Sequence, residues 1–239
     1  MSRLDGFFVT GTDTEVGKTL VSGALILKLR TQGKRVIGFK PLVAGTYQDK
    51  NGAVLNEDLE TLRIASNLNP GQMELCPYIL DTPAAPHLIA ASLGLQLELM
   101  PIMQAFSKVQ SVADMVIVEG AGGLLIPLND QQDLGDVAQE IDFPIVLVVG
   151  MKLGCLNHAL LTIEAIKARN LSIAGWVANT LSSEMPLLQE NVEALKARIQ
   201  APFLGSIPTL PKSFQKPSDS PYSIEALEFA AQHIQLPNP

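Results

Sequence analysis

The run Gly11-Thr12-Asp13-Thr14-Glu15-Val16-Gly17-Lys18-Thr19 constrains the fold more than any other stretch of the chain. It follows the apolar segment Phe7-Phe8-Val9-Thr10 and opens a helical pattern over 17–32. A strand, a glycine-bounded loop and a helix N-terminus in that order form a phosphate cradle, because loop and helix N–H groups point at the same anion. In such a loop Lys18 reaches the terminal phosphates of a nucleotide and the Thr19 hydroxyl faces Mg²⁺. Five residues separate Gly11 from Gly17, one more than in the common form, so Thr12 stands where the usual first glycine falls. Gly-Lys-Thr at a helix start can also be simple capping; the strand before it favours phosphate binding.

Composition sets the frame around this motif. The chain has 239 residues, 47% of them hydrophobic, enough for a sizeable core in one domain spanning 1–239. A net charge of −7 argues against a nucleic-acid surface, which needs clustered Lys and Arg. No apolar run approaches the roughly 20 residues of a membrane span, and no signal segment is read at the start. Two cysteines and three histidines, scattered, suggest neither a disulfide framework nor a zinc site. These features predict a soluble protein of a reducing, cytoplasmic compartment.

Strand and helix patterns alternate. Strands are expected at 36–40, 114–119, 144–149, 173–179 and 203–207, and helices at 57–67, 132–141, 155–169, 186–199 and 223–234. Residues 41–56 read as loop, prolines break 70–112 into short helical pieces, and 209–222 reads as a loop or lid. Continuous apolar strands alternating with helices predict an α/β fold: a mainly parallel central sheet covered on both faces, in three layers.

In open parallel sheets ligands bind beyond the carboxyl ends of the strands. The polar and glycine-rich residues gather there. Lys40 ends the second strand near the phosphate loop, where a second cation can stabilise a transferring phosphoryl group. A strand-end lysine can equally extend into solvent. Glu119 ends an apolar strand, as a carboxylate that shares Mg²⁺ with Thr19 does, or else caps the following turn. Gly120-Ala121-Gly122-Gly123 allows backbone to approach a ligand, or makes a tight turn. Asn179 offers the donor and acceptor that suit a purine edge, although Asn also favours turns. Asp58 sits early in a helix, a common place for any acid. Trp176 reads as core. Cys155 has no His/Asp companion and is read as a lining residue, and His87 and His158 carry no catalytic assignment.

Taken together, GTDTEVGKT (11–19), GFKPLVAG (38–45), VEGAGGLLIPL (118–128), VVGMKLGCLNHALLT (148–162), GWVAN (175–179) and GSIP (205–208) closely resemble the dethiobiotin synthetases. The matches run in order along nearly the whole chain. The resemblance implies a P-loop NTPase-like fold and an ATP-dependent ligase of biotin biosynthesis. One amine of 7,8-diaminononanoate captures CO₂ as a carbamate, ATP activates it as a mixed anhydride, and the second amine closes a cyclic urea. It implies Lys40, Lys18 and Thr14 as catalytic residues and Mg²⁺ at Thr19, Asp58 and Glu119. It places ATP against Thr12, Asp13, Glu15, Val16, Gly17, Lys18, Thr19, Leu20, Asp58, Glu119, Gly120, Ala121, Gly122, Asn179, Thr180, Pro208, Thr209 and Leu210. It places the diamino acid against Thr14, Lys40, Ala44 and Gly122, with Gly154, Cys155 and Asn157 contributed by the partner of a homodimer. Some members carry a serine where this chain has Ala44 and an aspartate where it has Thr180, so backbone N–H groups are expected to anchor substrate at Ala44.

Other readings are weaker. A partitioning-type switch ATPase or a metal-cluster carrier shares the strand–loop–lysine layout. The former usually has a lysine early in the loop, where this chain has Thr12 and Asp13, and the latter needs interface cysteine pairs. A corrin-amidating synthetase implies a following glutaminase domain, which is not expected within 239 residues. A non-catalytic nucleotide-binding scaffold is disfavoured by Lys40 and Glu119 together.

Overall fold

The computed structural model describes residues 5–237 apart from 50, 70, 72, 183 and 218. In chain order its strands are β1 (Gly6–Gly11), β2 (Val36–Phe39), β3 (Leu42–Ala44), β4 (Tyr47–Gln48), β5 (Val54–Leu55), β6 (Tyr78–Leu80), β7 (Met115–Gly123), β8 (Ile145–Met151), β9 (Ile173–Thr180) and β10 (Phe203–Ile207). Its helices are α1 (Lys18–Thr31), α2 (Glu57–Ala65), α3 (Pro86–Ser92), α4 (Leu99–Gln110), α5 (Leu134–Ile141), α6 (Cys155–Ala168), α7 (Leu188–Lys196) and α8 (Ile224–Gln232).

Six strands pair in parallel in the order β10-β9-β8-β1-β7-β2. Alternate side chains of each strand serve opposite faces. Phe7, Val9, Ile117, Val146 and Val148 pack against α1, α2 and α8. On the other face Phe8, Val116 and Val118 meet α4 and α5, while Leu147, Val149 and Trp176 meet α6 and α7. Both faces of the sheet are therefore dry, which is why its strands read as unbroken apolar runs. Helix α1 lies between sheet and α8, and is buried from Lys18 to Ile26. This is the predicted three-layer α/β architecture.

The chain leaves β1 for β2 on one side, returns to β7 between them, and then crosses to β8 on the other side. The reversal falls at β1, so the crevice beyond its carboxyl end lies at the phosphate loop.

Several predicted boundaries change. Residues 41–56 are not all loop: β3 pairs with β6, and β4 with β5. Within 70–112 a strand, β6, precedes α3 and α4, and prolines begin α3 rather than merely break it. The glycines 120–123 are strand and not turn, since β7 runs to Gly123, opposite Gly11. Glycine patterns mark both turns and places where backbones approach closely, and here the second holds.

Candidate active site

The register of β2 against β7 sets Phe39 beside Val118, which brings the next residues, Lys40 and Glu119, together at the strand ends. Lys40 Nζ donates to Glu119 Oε1 at 2.7 Å and pairs with Asp58 Oδ2 at 2.9 Å. Asp58 is delivered by α2. Asn56 caps that helix, its side-chain oxygen accepting the N–H groups of Asp58 and Leu59 at 3.0 and 3.1 Å. The acid that favours a helix N-terminus is thus also the one aimed at Lys40.

Thr19, on the first turn of α1, completes the cluster. Its Oγ1 lies 2.6 Å from Asp58 Oδ1 and 2.7 Å from Glu119 Oε1. A hydroxyl has one proton and can donate to only one of these. The other contact sets oxygen against carboxylate oxygen. Glu119 is fully buried, and its Oε2 has no hydrogen-bond partner among the described residues. Converging hard oxygens with surplus negative charge are the donor set of a Mg²⁺-class cation, and Thr19, Asp58 and Glu119 fit one.

Burial alone would lower the Lys40 pKa, but the Asp58 and Glu119 carboxylates outweigh it and hold that pKa well above the ordinary lysine value. Asp58 is the mirror case: burial would raise its pKa, and Lys40 and the Thr19 hydroxyl bring it below the usual range. Among the described residues Lys18 has no carboxylate in direct contact; its Nζ donates to the Asp13 carbonyl at 3.2 Å. Burial, then the nearby charge of Lys40, lowers its pKa to about 8. Lys40 is a settled cation; Lys18 is one that still lacks an anion.

The loop above is shaped for that anion. Gly17 adopts φ 87° at the N-cap of α1, where no side chain caps the helix. The first N–H groups of α1 therefore face the loop. Glu15 also holds positive φ, 58°, an uncommon state for a non-glycine residue that clusters at ligand clamps. Asp13 accepts the Thr14 N–H and pairs with Lys152 at 2.8 Å. Lys152, then the Thr14 N–H, lowers the Asp13 pKa. Asn179 Nδ2 donates to the Val16 carbonyl at 2.9 Å.

A cleft of about 860 Å³ gathers Thr14, Glu15, Gly17, Lys18, Thr19, Lys40, Ala44, Asp58, Ala121, Gly122 and Asn179. Other expected site residues stand apart from its walls. Val16 and Leu20 bury their side chains in the core beneath the sheet, so only their backbone faces the loop. Cys155 is 2% exposed and packs its side chain with Leu147 and Trp176, in the core and not on the wall of this cleft. Gly154 and Asn157 are exposed beside it. Thr12 and Asp13 lie in the loop, Glu119 and Gly120 are buried beneath the cleft, Thr180 is buried at the end of β9, and Pro208, Thr209 and Leu210 follow β10. The Thr209 hydroxyl is buried without a partner among the described residues.

Sequence reasoning missed Asn56, Lys152, Lys216 and Tyr222. Asn56 precedes a run of acids at a helix start, a readable cap signal. Lys152 follows β8 and fits the strand-end rule. Lys216 and Tyr222 reach the cleft from the 209–222 segment, and no local pattern marks them. Burial, then Asp58 and Glu119, pushes the Tyr222 hydroxyl up to about 12.

The chain resembles proteins of known name. A family model described as an AAA domain matches residues 5–216. The ATP-dependent dethiobiotin synthetase BioD of Aromatoleum aromaticum is 48% identical over 208 residues, 87% of this chain and 92% of that protein. That of Ralstonia nicotianae is 48% identical over 205 residues, 86% of this chain and 89% of that protein. Among solved structures, the septum site-determining protein MinD of Pyrococcus horikoshii with Mg-ADP aligns at TM-score 0.55 and 15% identity, covering 95% of each chain. Cobyrinic acid a,c-diamide synthase of Mycobacterium smegmatis, with ADP and magnesium, aligns at 0.52 and 14%, covering 98% of this chain and 99% of that one. At such identity the solved structures share a fold, that of the P-loop NTPases, and no more. The sequence relatives go further, and by them the chain belongs to the ATP-dependent dethiobiotin synthetase family.

Proposed function

We propose that this chain is an ATP-dependent dethiobiotin synthetase, a ligase that closes a cyclic urea on 7,8-diaminononanoate with CO₂ and ATP, releasing ADP and phosphate. The observation that carries the reading is the joining of buried Lys40 to the Thr19–Asp58–Glu119 oxygen cluster, with a second buried lysine, Lys18, lining the same cleft. Positioning and charge stabilisation are what phosphoryl transfer requires of a protein, and both cysteines are buried away from nucleophilic use.

In this reading one substrate amine adds to CO₂ and loses a proton, giving a carbamate held near Thr14 and Lys40. The carbamate oxygen takes the γ-phosphoryl group and ADP leaves. The second amine then attacks the carbamoyl carbon and gives up a proton, phosphate departs with the bonding pair, and the urea ring closes. Lys40 serves as a fixed cation and not as a base, because its carboxylate partners keep it protonated. Lys18 gains in the bound state the anionic partner it lacks alone. Thr19, Asp58 and Glu119 would hold Mg²⁺, whose chemistry is to screen phosphate charge. Ala44 has no side-chain donor, and the N–H groups of Gly45 and Thr46 beside it already donate to the Leu80 and Asp81 carbonyls.

Residues 1–239 act as one synthetase domain in this reading. The exposed residues Leu153, Gly154 and Asn157 at the start of α6, with Leu153 99% exposed, support a homodimer in which they complete the partner's diamino-acid site. Among the described residues no helix is long and apolar enough to cross a membrane, which accords with a cytoplasmic enzyme. The test is ADP release with ATP, Mg²⁺, bicarbonate and 7,8-diaminononanoate, each omitted in turn, with mass analysis of the product. Turnover that needs all four and collapses in Lys40→Ala is expected. ADP release indifferent to the diamino acid would replace the synthetase with a nucleotide switch.

A further inference from the structure

Capping α2 uses only half of the Asn56 amide. Its Oδ1 accepts the Asp58 and Leu59 N–H groups at 3.0 and 3.1 Å. The other half, Nδ2, donates to the Gly45 carbonyl at 2.8 Å. Asn, Asp and Ser cap helices about equally well, but only Asn holds an acceptor and a donor on separate atoms. Asp has no proton to give, and Ser would have to serve both sides from one oxygen. The three partners also fix the amide: turned over, it would set oxygen against the Gly45 carbonyl and NH₂ against two N–H groups. Asn56 is 5% exposed and lines the cleft.

The two ends of this bridge belong to different parts of the site. One is Asp58, two residues along α2, held against Lys40 and Thr19. The other is the turn after β3, where Val43 and Ala44 line the cleft. That turn has little freedom of its own. The Gly45 and Thr46 N–H groups donate to the Leu80 and Asp81 carbonyls at 2.8 and 3.1 Å. Gly45 holds φ 103°, and a Cβ there would lie 3.1 Å from Pro83 Cβ. Packing this tight transmits displacement instead of absorbing it. A shift of the wall at Ala44 therefore passes through Asn56 to the α2 cap and to Asp58.

We infer that Asn56 is a positioning residue that links the diamino-acid wall of the cleft to the Asp58 carboxylate of the Mg²⁺ set. The linkage rests on the synthetase reading above and adds a coupling between its two halves. Such coupling is reciprocal. The diamino acid at Ala44 should tighten Mg²⁺-nucleotide, and Mg²⁺-nucleotide should tighten the diamino acid to the same degree.

The experiment uses calorimetry on the full chain in wild type, Asn56→Ser and Asn56→Asp. It measures binding of a non-hydrolysable ATP analogue with Mg²⁺, with and without saturating 7,8-diaminononanoate, and binding of the diamino acid alone. Both substitutions keep a cap acceptor and lose the N–H that Gly45 accepts. The diamino acid should tighten Mg²⁺-nucleotide about fivefold or more in wild type, and about twofold or less in both variants. A residue that only caps α2 would leave the coupling intact, and so would direct contact between the two ligands. Equal coupling in folded variants therefore overturns the linkage, as does wild type that binds both ligands independently. Should the variants fail to fold, amide exchange in wild type decides. The diamino acid alone should slow exchange of the Asp58 and Leu59 N–H groups about threefold or more, because a firmer cap protects them. Unchanged exchange overturns the linkage. Wild type that binds nucleotide but not the diamino acid would instead overturn the synthetase reading, and the linkage with it.

Discussion

Two ion pairs flank the phosphate loop at nearly equal distance, and their surroundings separate them. Beneath the loop, Lys40 and Glu119 meet at 2.7 Å with side chains 3% and 0% exposed. At its rim, Lys152 and Asp13 meet at 2.8 Å with side chains 43% and 41% exposed. Water screens the rim pair and takes over for either partner if the other is lost. The buried pair has no such substitute: each charge is desolvated and compensated only by the others, so the cluster stands or falls as a unit. Distance alone would rank the two alike; solvent access decides which one the fold depends on.

The largest effect should follow from removing the buried cation. Lys40→Ala leaves the Asp58 and Glu119 carboxylates around one hydroxyl, and should cost about 3–5 kcal/mol of stability besides abolishing turnover. Urea unfolding measures it, and added Mg²⁺ should restore part of the loss by binding the native oxygens. A cost under about 1 kcal/mol would mean that the cluster behaves like the rim pair after all.

Thr19→Val comes next. It removes the hydroxyl shared by both carboxylates at nearly constant volume. A fall in kcat of about 10²-fold, the scale of one lost electrostatic contact at the reacting group, is expected together with a higher Mg²⁺ requirement in titrations. Full activity at wild-type Mg²⁺ would remove Thr19 from the metal set.

A smaller effect should come from pH. In the free protein the Lys18 pKa lies near 8, below the ordinary 10.5. Bound phosphate favours the charged form and must raise it. At pH 8 binding should therefore take up a fraction of a proton, and ATP affinity should fall as pH rises through 8 and beyond. Calorimetry in buffers of different ionisation enthalpy reads the uptake, and Lys18→Arg should abolish it. Stability has the opposite sign: between about 8 and 10.5 the unfolded chain holds more protons at this lysine, so its contribution rises with pH.

The smallest change should be Lys152→Ala, less than about 1 kcal/mol in urea unfolding and vanishing at high salt. A cost several times larger would show that the fold depends on the rim pair as much as on the buried one.

Much of the site was legible because its signals are local. The glycines, Lys18 and Thr19 occupy one continuous loop and helix start, and strand ends reveal themselves where an apolar run stops at a charged residue, as at Lys40 and Glu119. Asp58 was named only by resemblance, since an acid in a first helical turn is commonplace. The side chain of Cys155 shows the same limit: a thiol at a helix start points into core or cleft according to helix rotation, which short range does not reveal. Lys216 and Tyr222 arrive from a proline-rich segment without periodicity, and only packing of α8 against α1 and α2 brings that segment to the cleft.

Local chemistry along the chain thus determines that there is a phosphate loop, a parallel sheet with two dry faces, and a set of charged residues at the strand ends. Backbone geometry and hydrophobic periodicity act over a few residues and need no knowledge of what lies across the sheet. The three-dimensional arrangement decides which of those charges meet. The β2–β7 register sets Lys40 against Glu119, the Asn56 cap aims Asp58 at both, and the end of β9 lays Asn179 on the Val16 carbonyl. Those contacts span tens to more than a hundred residues of chain, and their strength comes from the exclusion of water, which only the assembled layers supply.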